Sequence, residues 1–118
     1  GLRNAVLLAQ SEDDGKSLEN MVYLSLKRKL SDVDKMYYFS AKNECDFVVQ
    51  RNGKVEELVQ VCWELDSDNE KREVAGLIAA SKVTGCKNCK IVTFNQSMTL
   101  HSQDLQITVV PAWELEEK

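Results

Sequence analysis

One proline and five glycines among 118 residues leave little room for a collagenous chain, and a hydrophobic share of 43% argues against disorder. No apolar run approaches the ~20 residues needed to span a bilayer, so no membrane partner is expected. Basic residues are outnumbered 15 to 19, which argues against a dedicated non-specific nucleic-acid binder while leaving room for a local basic groove. The single histidine, His101, has no serine or cysteine that the sequence places beside it, so a hydrolase triad has no support. A Gly-x-x-x-x-Gly-Lys-Ser/Thr motif is missing as well, and these residues cannot bind ATP through a P-loop of their own.

Gly1-Leu2-Arg3-Asn4 carries neither an initiator methionine nor a signal-peptide pattern. The start is therefore expected to be the cut edge of a fragment, with Gly1 read as a cloning remnant. Residues 1–14 are expected to be a linker remnant, and 15–118 a single domain, since one domain usually takes about 100–150 residues. The four cysteines, at 45, 62, 86 and 89, read as reduced thiols of a cytoplasmic protein, because a chain of this size can build a core without disulfides.

Leu18, Met21, Val22, Leu26 and Leu30 recur at helical spacing and predict a helix from about Gly15 to Lys29. Three β-like runs follow, at Met36–Ser40, Glu44–Gln50 and Val55–Leu65. Asn52-Gly53 between the last two predicts a hairpin, since both residues tolerate positive φ. Ser67 and Glu70 have capping-box spacing ahead of a second helix that should stop near Gly85. Lys90–Phe94 reads as a buried strand, Asn95–Asp104 as a polar loop and Leu105–Val110 as a half-exposed strand; Pro111 should end it, before a terminal turn over Ala112–Glu116. The order α-β-β-β-α-β-β predicts an α/β fold with a mixed central sheet flanked by helices.

Glu19 stands out because the arc of Leu18, Val22, Leu26 and Leu30 places it toward the core, where a carboxylate must find a cation, several donors or a proton. A partly exposed position is the competing reading. On the second strand, alternation puts Glu44 and Asp46 on one face and Cys45, Phe47 and Val49 on the other. Across the hairpin, Gln60 and Cys62 share a face opposite Val59, Val61 and Trp63, so Glu44, Asp46 and Gln60 converge if the register allows. Otherwise they form the wet side of a hairpin. Cys86-Lys87-Asn88-Cys89 has the spacing of a zinc half-site, but Cys45, Cys62 or His101 would have to complete it. The strand cysteines read more simply as small core residues, and zinc is not expected.

Taken together, Gly15-Lys16-Ser17-Leu18-Glu19-Asn20-Met21-Val22-Tyr23, Glu44-Cys45-Asp46-Phe47-Val48-Val49, Val59-Gln60-Val61-Cys62, Asn69-Glu70-Lys71-Arg72-Glu73 and Val109-Val110-Pro111-Ala112-Trp113 resemble the C-terminal domain of uncharacterised bacterial and archaeal AAA-type P-loop ATPases. The resemblance implies a restriction-endonuclease-like fold of the PD-(D/E)XK superfamily. By position it implies that Glu19, Asp46, Gln60 and Cys62 stand at the catalytic places, with Glu19, Asp46 and the Gln60 amide oxygen able to hold Mg²⁺ for phosphodiester hydrolysis. It also implies an ATPase module upstream in the same chain, where ATP would bind, and DNA as a partner.

Cys62 departs from the pattern, because a lysine is expected there to stabilise the nucleophile or the developing phosphorane charge. Lys71, Arg72 or Lys82 could substitute only through proximity in the expected fold, and Arg72 and Glu73 read otherwise as solvated helix charges. Two expectations follow. One is a nuclease-like accessory domain with a degraded active site, serving nucleic-acid or partner recognition; the other is an active Mg²⁺-dependent DNA endonuclease.

Overall fold

A computed structural model of the chain describes residues 12–40 and 42–117. The expectations for residues 1–11 and for Gly1 lie outside the described residues. Helix α1, Glu12–Arg28, is followed by strands β1, Lys35–Ser40, β2, Glu44–Arg51, and β3, Lys54–Val61. Helix α2, Glu70–Thr84, then leads to β4, Cys89–Thr93, β5, Met98–Ser102, β6, Leu105–Pro111, and a 3-10 turn over Ala112–Glu117. Glu12–Asp14, assigned from sequence to a linker, belong to α1.

The six strands form one sheet in the order β1-β2-β3-β4-β6-β5. Its first three strands are an antiparallel meander; β4 lies parallel to both β3 and β6, and β5 returns antiparallel to β6. A β3-α2-β4 crossover joins the two parallel neighbours, since parallel strands cannot be linked by a tight turn. The fold is therefore α/β with a mixed sheet. On one face α2 buries Val74, Leu77 and Ala80 against Leu58, Ile91, Ile107 and Val109. On the other, α1 buries Leu18, Val22 and Leu26 against Phe47, Val49, Val59 and Val92, with Ala112 and Leu115 of the terminal turn.

Asn52 and Gly53 have φ of 56° and 79°, and Arg51 pairs with Lys54 across the two-residue turn, as the hairpin signal requires. Gly85 ends α2 in the left-handed region at φ 81°, its N–H donating to the Ser81 carbonyl at 2.7 Å. Three local expectations need correction. The Ser67–Glu70 capping box does not form: Asn69 takes the N-cap position and turns its side chain backwards, accepting from Asp66 N and donating to the Glu64 carbonyl, both at 2.9 Å. Strand β3 stops at Val61, because Leu65 is held instead by Gln96, whose amide accepts from Leu65 N at 2.7 Å and donates to Leu65 O at 3.0 Å. The expected polar loop contains β5, an edge strand whose Met98, Thr99 and His101 are exposed and so give no apolar alternation to read. The observed order is thus α-β-β-β-α-β-β-β, one strand more than expected.

Candidate functional site

The ladder between β2 and β3 begins at the hairpin and ends at the pair Phe47↔Val59, although both strands continue. Beyond that pair, side chains replace the missing backbone bonds. Asp46 N donates to Gln60 Oε1 at 2.8 Å, and Val61 N donates to Asp46 Oδ2 at 2.8 Å. Gln60 Nε2 donates to the carbonyls of Glu44 and Glu73, each at 2.9 Å, which ties both strands to α2. Gln60 is only 2% exposed, and both ends of its amide are occupied, as a buried amide requires. Gly76 makes this approach feasible, since a Cβ there would run into the Glu44 carbonyl and Gln60 Nε2.

The splayed strand ends open onto a hollow of about 310 Å³ lined by Lys42, Glu44, Asp46, Gln60, Arg72 and Glu73, together with Asn43. Glu73 is 12% exposed, whereas Arg72, 3.4 Å from Glu73 Oε2, is 74% exposed. Burial pushes Asp46 up to about 6, with the Val61 N–H pulling against it and the charges of Glu19 and Glu44 adding to the rise. Glu73 is pushed up to about 7, first by burial and then by Asp46, against the pull of Arg72. Two carboxylates from different elements therefore compete for charge at one polar hollow.

Glu19 is exposed and does not face the core. Leu30, which extended the apolar arc in the sequence, lies beyond the end of α1, and Ser25 is buried at 1%, so the buried stripe is Leu18, Val22, Ser25 and Leu26, with Glu19 on its flank. It lines a neighbouring hollow, and its charge still reaches Asp46. The expected alternation on β2 also breaks. Between Tyr37↔Val48 and Phe39↔Cys45, β2 carries one more residue than β1, and this bulge sends Cys45 to the α2 side while Phe47 and Val49 stay on the α1 side. Glu44, Asp46 and Gln60 do meet.

Cys62 is half-buried beside α2; its Sγ donates to the Glu64 carbonyl at 3.2 Å and accepts from Asn69 Nδ2 at 3.3 Å. Burial, then Glu73, pushes this thiol up to about 11, which makes it a poor nucleophile at neutral pH. Cys86 and Cys89 are buried in the α2-side core together with Cys45, while His101 is exposed on β5. The residue that sequence reasoning missed is Glu73, read as a solvated helix charge. Its signal was helical spacing, since Glu73 lies four residues before Leu77, which is fully buried, and therefore on the sheet side of α2.

No family model matches the chain, and no solved structure matches it. It is similar to an uncharacterised protein of Methanocaldococcus jannaschii, with 34% identity over 115 residues that cover 91% of this chain and 26% of that protein. The chain thus spans about a quarter of the length of this relative. None of the described helices is long and apolar enough to cross a membrane.

Proposed function

We propose that the chain is a restriction-endonuclease-like domain of the PD-(D/E)XK kind whose hollow at Asp46 and Glu73 takes Mg²⁺ together with a phosphodiester of a nucleic acid. The observation that carries this reading is the pair of half-buried carboxylates, supplied by β2 and α2, with elevated proton affinity at the splayed end of two strands. Mg²⁺ accepts one or two carboxylates and completes its shell with water and phosphate oxygens, so this donor set fits a hard cation. Asp46 and Glu73 are the ligands in this reading. Gln60 is not one in this reading, because it is only 2% exposed and its amide is tied at both ends to β2 and α2.

The metal would polarise the phosphate and lower the pKa of a bound water. What is missing is a buried ammonium at position 62, so the domain serves recognition and cleaves feebly. Its setting in this reading is cytoplasmic, as the tail of an AAA-type ATPase whose upstream module binds ATP; the fraction of the Methanocaldococcus jannaschii protein that aligns is what a domain within a longer chain would give.

The second reading, an active endonuclease, is favoured by Arg72 and Lys42, two cations on the same hollow that could take over the role of the absent lysine. Cleavage of labelled single- and double-stranded DNA with Mg²⁺, Mn²⁺ or EDTA separates the two. Metal binding with slow or undetectable cleavage fits the first, and brisk metal-dependent cleavage abolished by Arg72→Ala fits the second. Absence of metal binding defeats both.

A further inference from the structure

The backbone groups of β1 divide between the sheet and its outer side. Leu58 N and Cys62 N donate to the Asn88 and Val92 carbonyls on the β4 side, and Val61 N donates to Asp46 on β2, so the odd-numbered residues of β3 turn their backbone groups toward β2. Val59 and Glu57 are partnered by Phe47 and Val49, which leaves Val48 and Gln50 to bond β1 through Tyr37 and Lys35. Met36 and Tyr38 therefore turn their N–H and C=O groups outward. β1 is an end strand of the sheet, and among the described residues its substantial packing partner is β2, both helices lying further in.

Side chains sort the same strand by face. Phe39 packs with the α2-side core and Met36 with the α1-side core, so Lys35, Tyr37 and Phe39 share the α2 face and Met36 and Tyr38 the α1 face. Tyr37 and Tyr38 are 45% and 56% exposed. The usual devices that keep an edge from pairing are missing: β1 has no proline, the extra residue of its bulge belongs to β2, and its single charge, Lys35, stands at the start. The opposite edge, β5, offers Thr99, His101 and Ser102 in place of aromatic rings.

We propose that β1 pairs antiparallel with β1 of a second copy of this chain, about a two-fold axis at Tyr37, joining the two sheets into one. A two-fold axis normal to the sheet keeps each face on its own side, and the antiparallel pair then matches every residue with one of the same face. Centred on Tyr37, it sets Met36 opposite Tyr38 of the second copy, and these are the residues with outward backbone groups. On the α2 face Tyr37 meets Tyr37 and Lys35 meets Phe39, so each ammonium lies beside an aromatic ring and not beside its own like charge. A register centred on Tyr38 would carry Lys35 beyond the other β1, toward Lys42. This self-complementarity is what selects a second copy as the occupant, and one β1 per chain closes the assembly at two. With six residues a side, against ~20–30 in a standard interface, the dissociation constant should be on the order of 100 µM. The inference stands apart from the reading of the Asp46 hollow.

The test is sedimentation equilibrium of the protein in reducing buffer, from about 10 µM to about 1 mM, over which the mass should rise from that of one chain toward that of two. Tyr37→Lys and Tyr37→Glu each set like charges opposite one another at the axis and should weaken association at least tenfold. An equimolar mixture of the two should associate more tightly than either alone. Thr99→Lys, on the β5 edge, should stay within twofold. Tyr37→Cys supplies a second measurement: a non-hydrogen-bonded pair holds its Cα atoms about 4.5 Å apart, within the range of a disulfide, so oxidised glutathione should link two chains through residue 37 far more than in Thr99→Cys. A single-chain mass throughout, growth beyond two chains, Tyr37→Lys associating like the parent protein, a mixture no tighter than its components, or equal cross-linking at 37 and 99 would each overturn the pairing.

Discussion

Asp46 accepts the backbone N–H of Val61 at 2.8 Å, in the place where a β2 carbonyl would have continued the ladder. The carboxylate is thus half structural and half available. Asp46→Ala leaves the Val61 N–H without its acceptor, and a loss of about 1–3 kcal/mol is expected in urea unfolding. Asp46→Asn keeps an acceptor oxygen and removes the repulsion with Glu73, so in EDTA at pH 8 it should be at least as stable as the parent protein. A large loss in Asn as well as Ala would mean that the charge itself holds the strands.

Asp46 and Glu73 titrate near 6 and 7, above their ordinary values of 3.8 and 4.5. The folded chain therefore binds more protons than the unfolded chain between about pH 4 and 7. The stability this confers is full below about pH 4 and lost as pH rises through 6 and 7. Metal-free protein should lose on the order of 2–3 kcal/mol from this pair between pH 5 and pH 8. Asp46→Asn should flatten the profile in thermal melts. A melting temperature that rises over that interval would contradict the assignment.

Gln60 shows why the acidic residue familiar at such a strand position is not simply interchangeable here. Its Nε2 supplies the carbonyls of Glu44 and Glu73, and Gly76 brings α2 against it. Gln60→Glu removes both donated bonds and adds a third negative charge, so about 3 kcal/mol or more should be lost. Gly76→Ala should cost about 1–3 kcal/mol through overpacking against a backbone carbonyl that has little freedom to move. Denaturant midpoints check both, and unchanged values would show that the connection is dispensable.

The sheet was legible in the sequence where short-range rules dominate. The Asn52-Gly53 turn, the Gly85 stop and the alternation of Leu105, Ile107 and Val109 all carry local signals that tertiary packing leaves intact. The core-facing reading of Glu19, though not its competing exposed one, and the face given to Cys45 failed for non-local reasons. A helix ending before Leu30 moved the buried stripe, and a one-residue bulge against β1 reversed the face of Cys45. Strand β5 is held by its pairing with β6 and has little apolar pattern of its own. Glu73 was hidden because spacing tells which side of α2 it is on but not that the strands beneath it part to form a hollow.

Cys62→Lys tests the proposed catalytic weakness. An ammonium placed beside Glu73 should lower the proton affinity of that carboxylate and raise Mg²⁺-dependent cleavage, by as much as the ~10²–10³-fold that one preorganised charge contributes. Single-turnover cleavage with and without Asp46→Ala reads this out. An increase that survives Asp46→Ala would come from somewhere other than this site.

Calorimetric titration of Mg²⁺ and Mn²⁺ into the parent protein, Asp46→Asn, Glu73→Gln and Glu19→Gln bears most directly on the proposed cation site. One site with a dissociation constant on the order of 1 mM is expected, equivalent to about 1.4 kcal/mol of added stability in ~10 mM metal. Asp46→Asn and Glu73→Gln should weaken it at least tenfold, while Glu19→Gln, which contributes only a nearby charge, should stay within about threefold. Loss of binding in Glu19→Gln with Glu73→Gln unaffected, or no binding to the parent protein at all, would contradict the account.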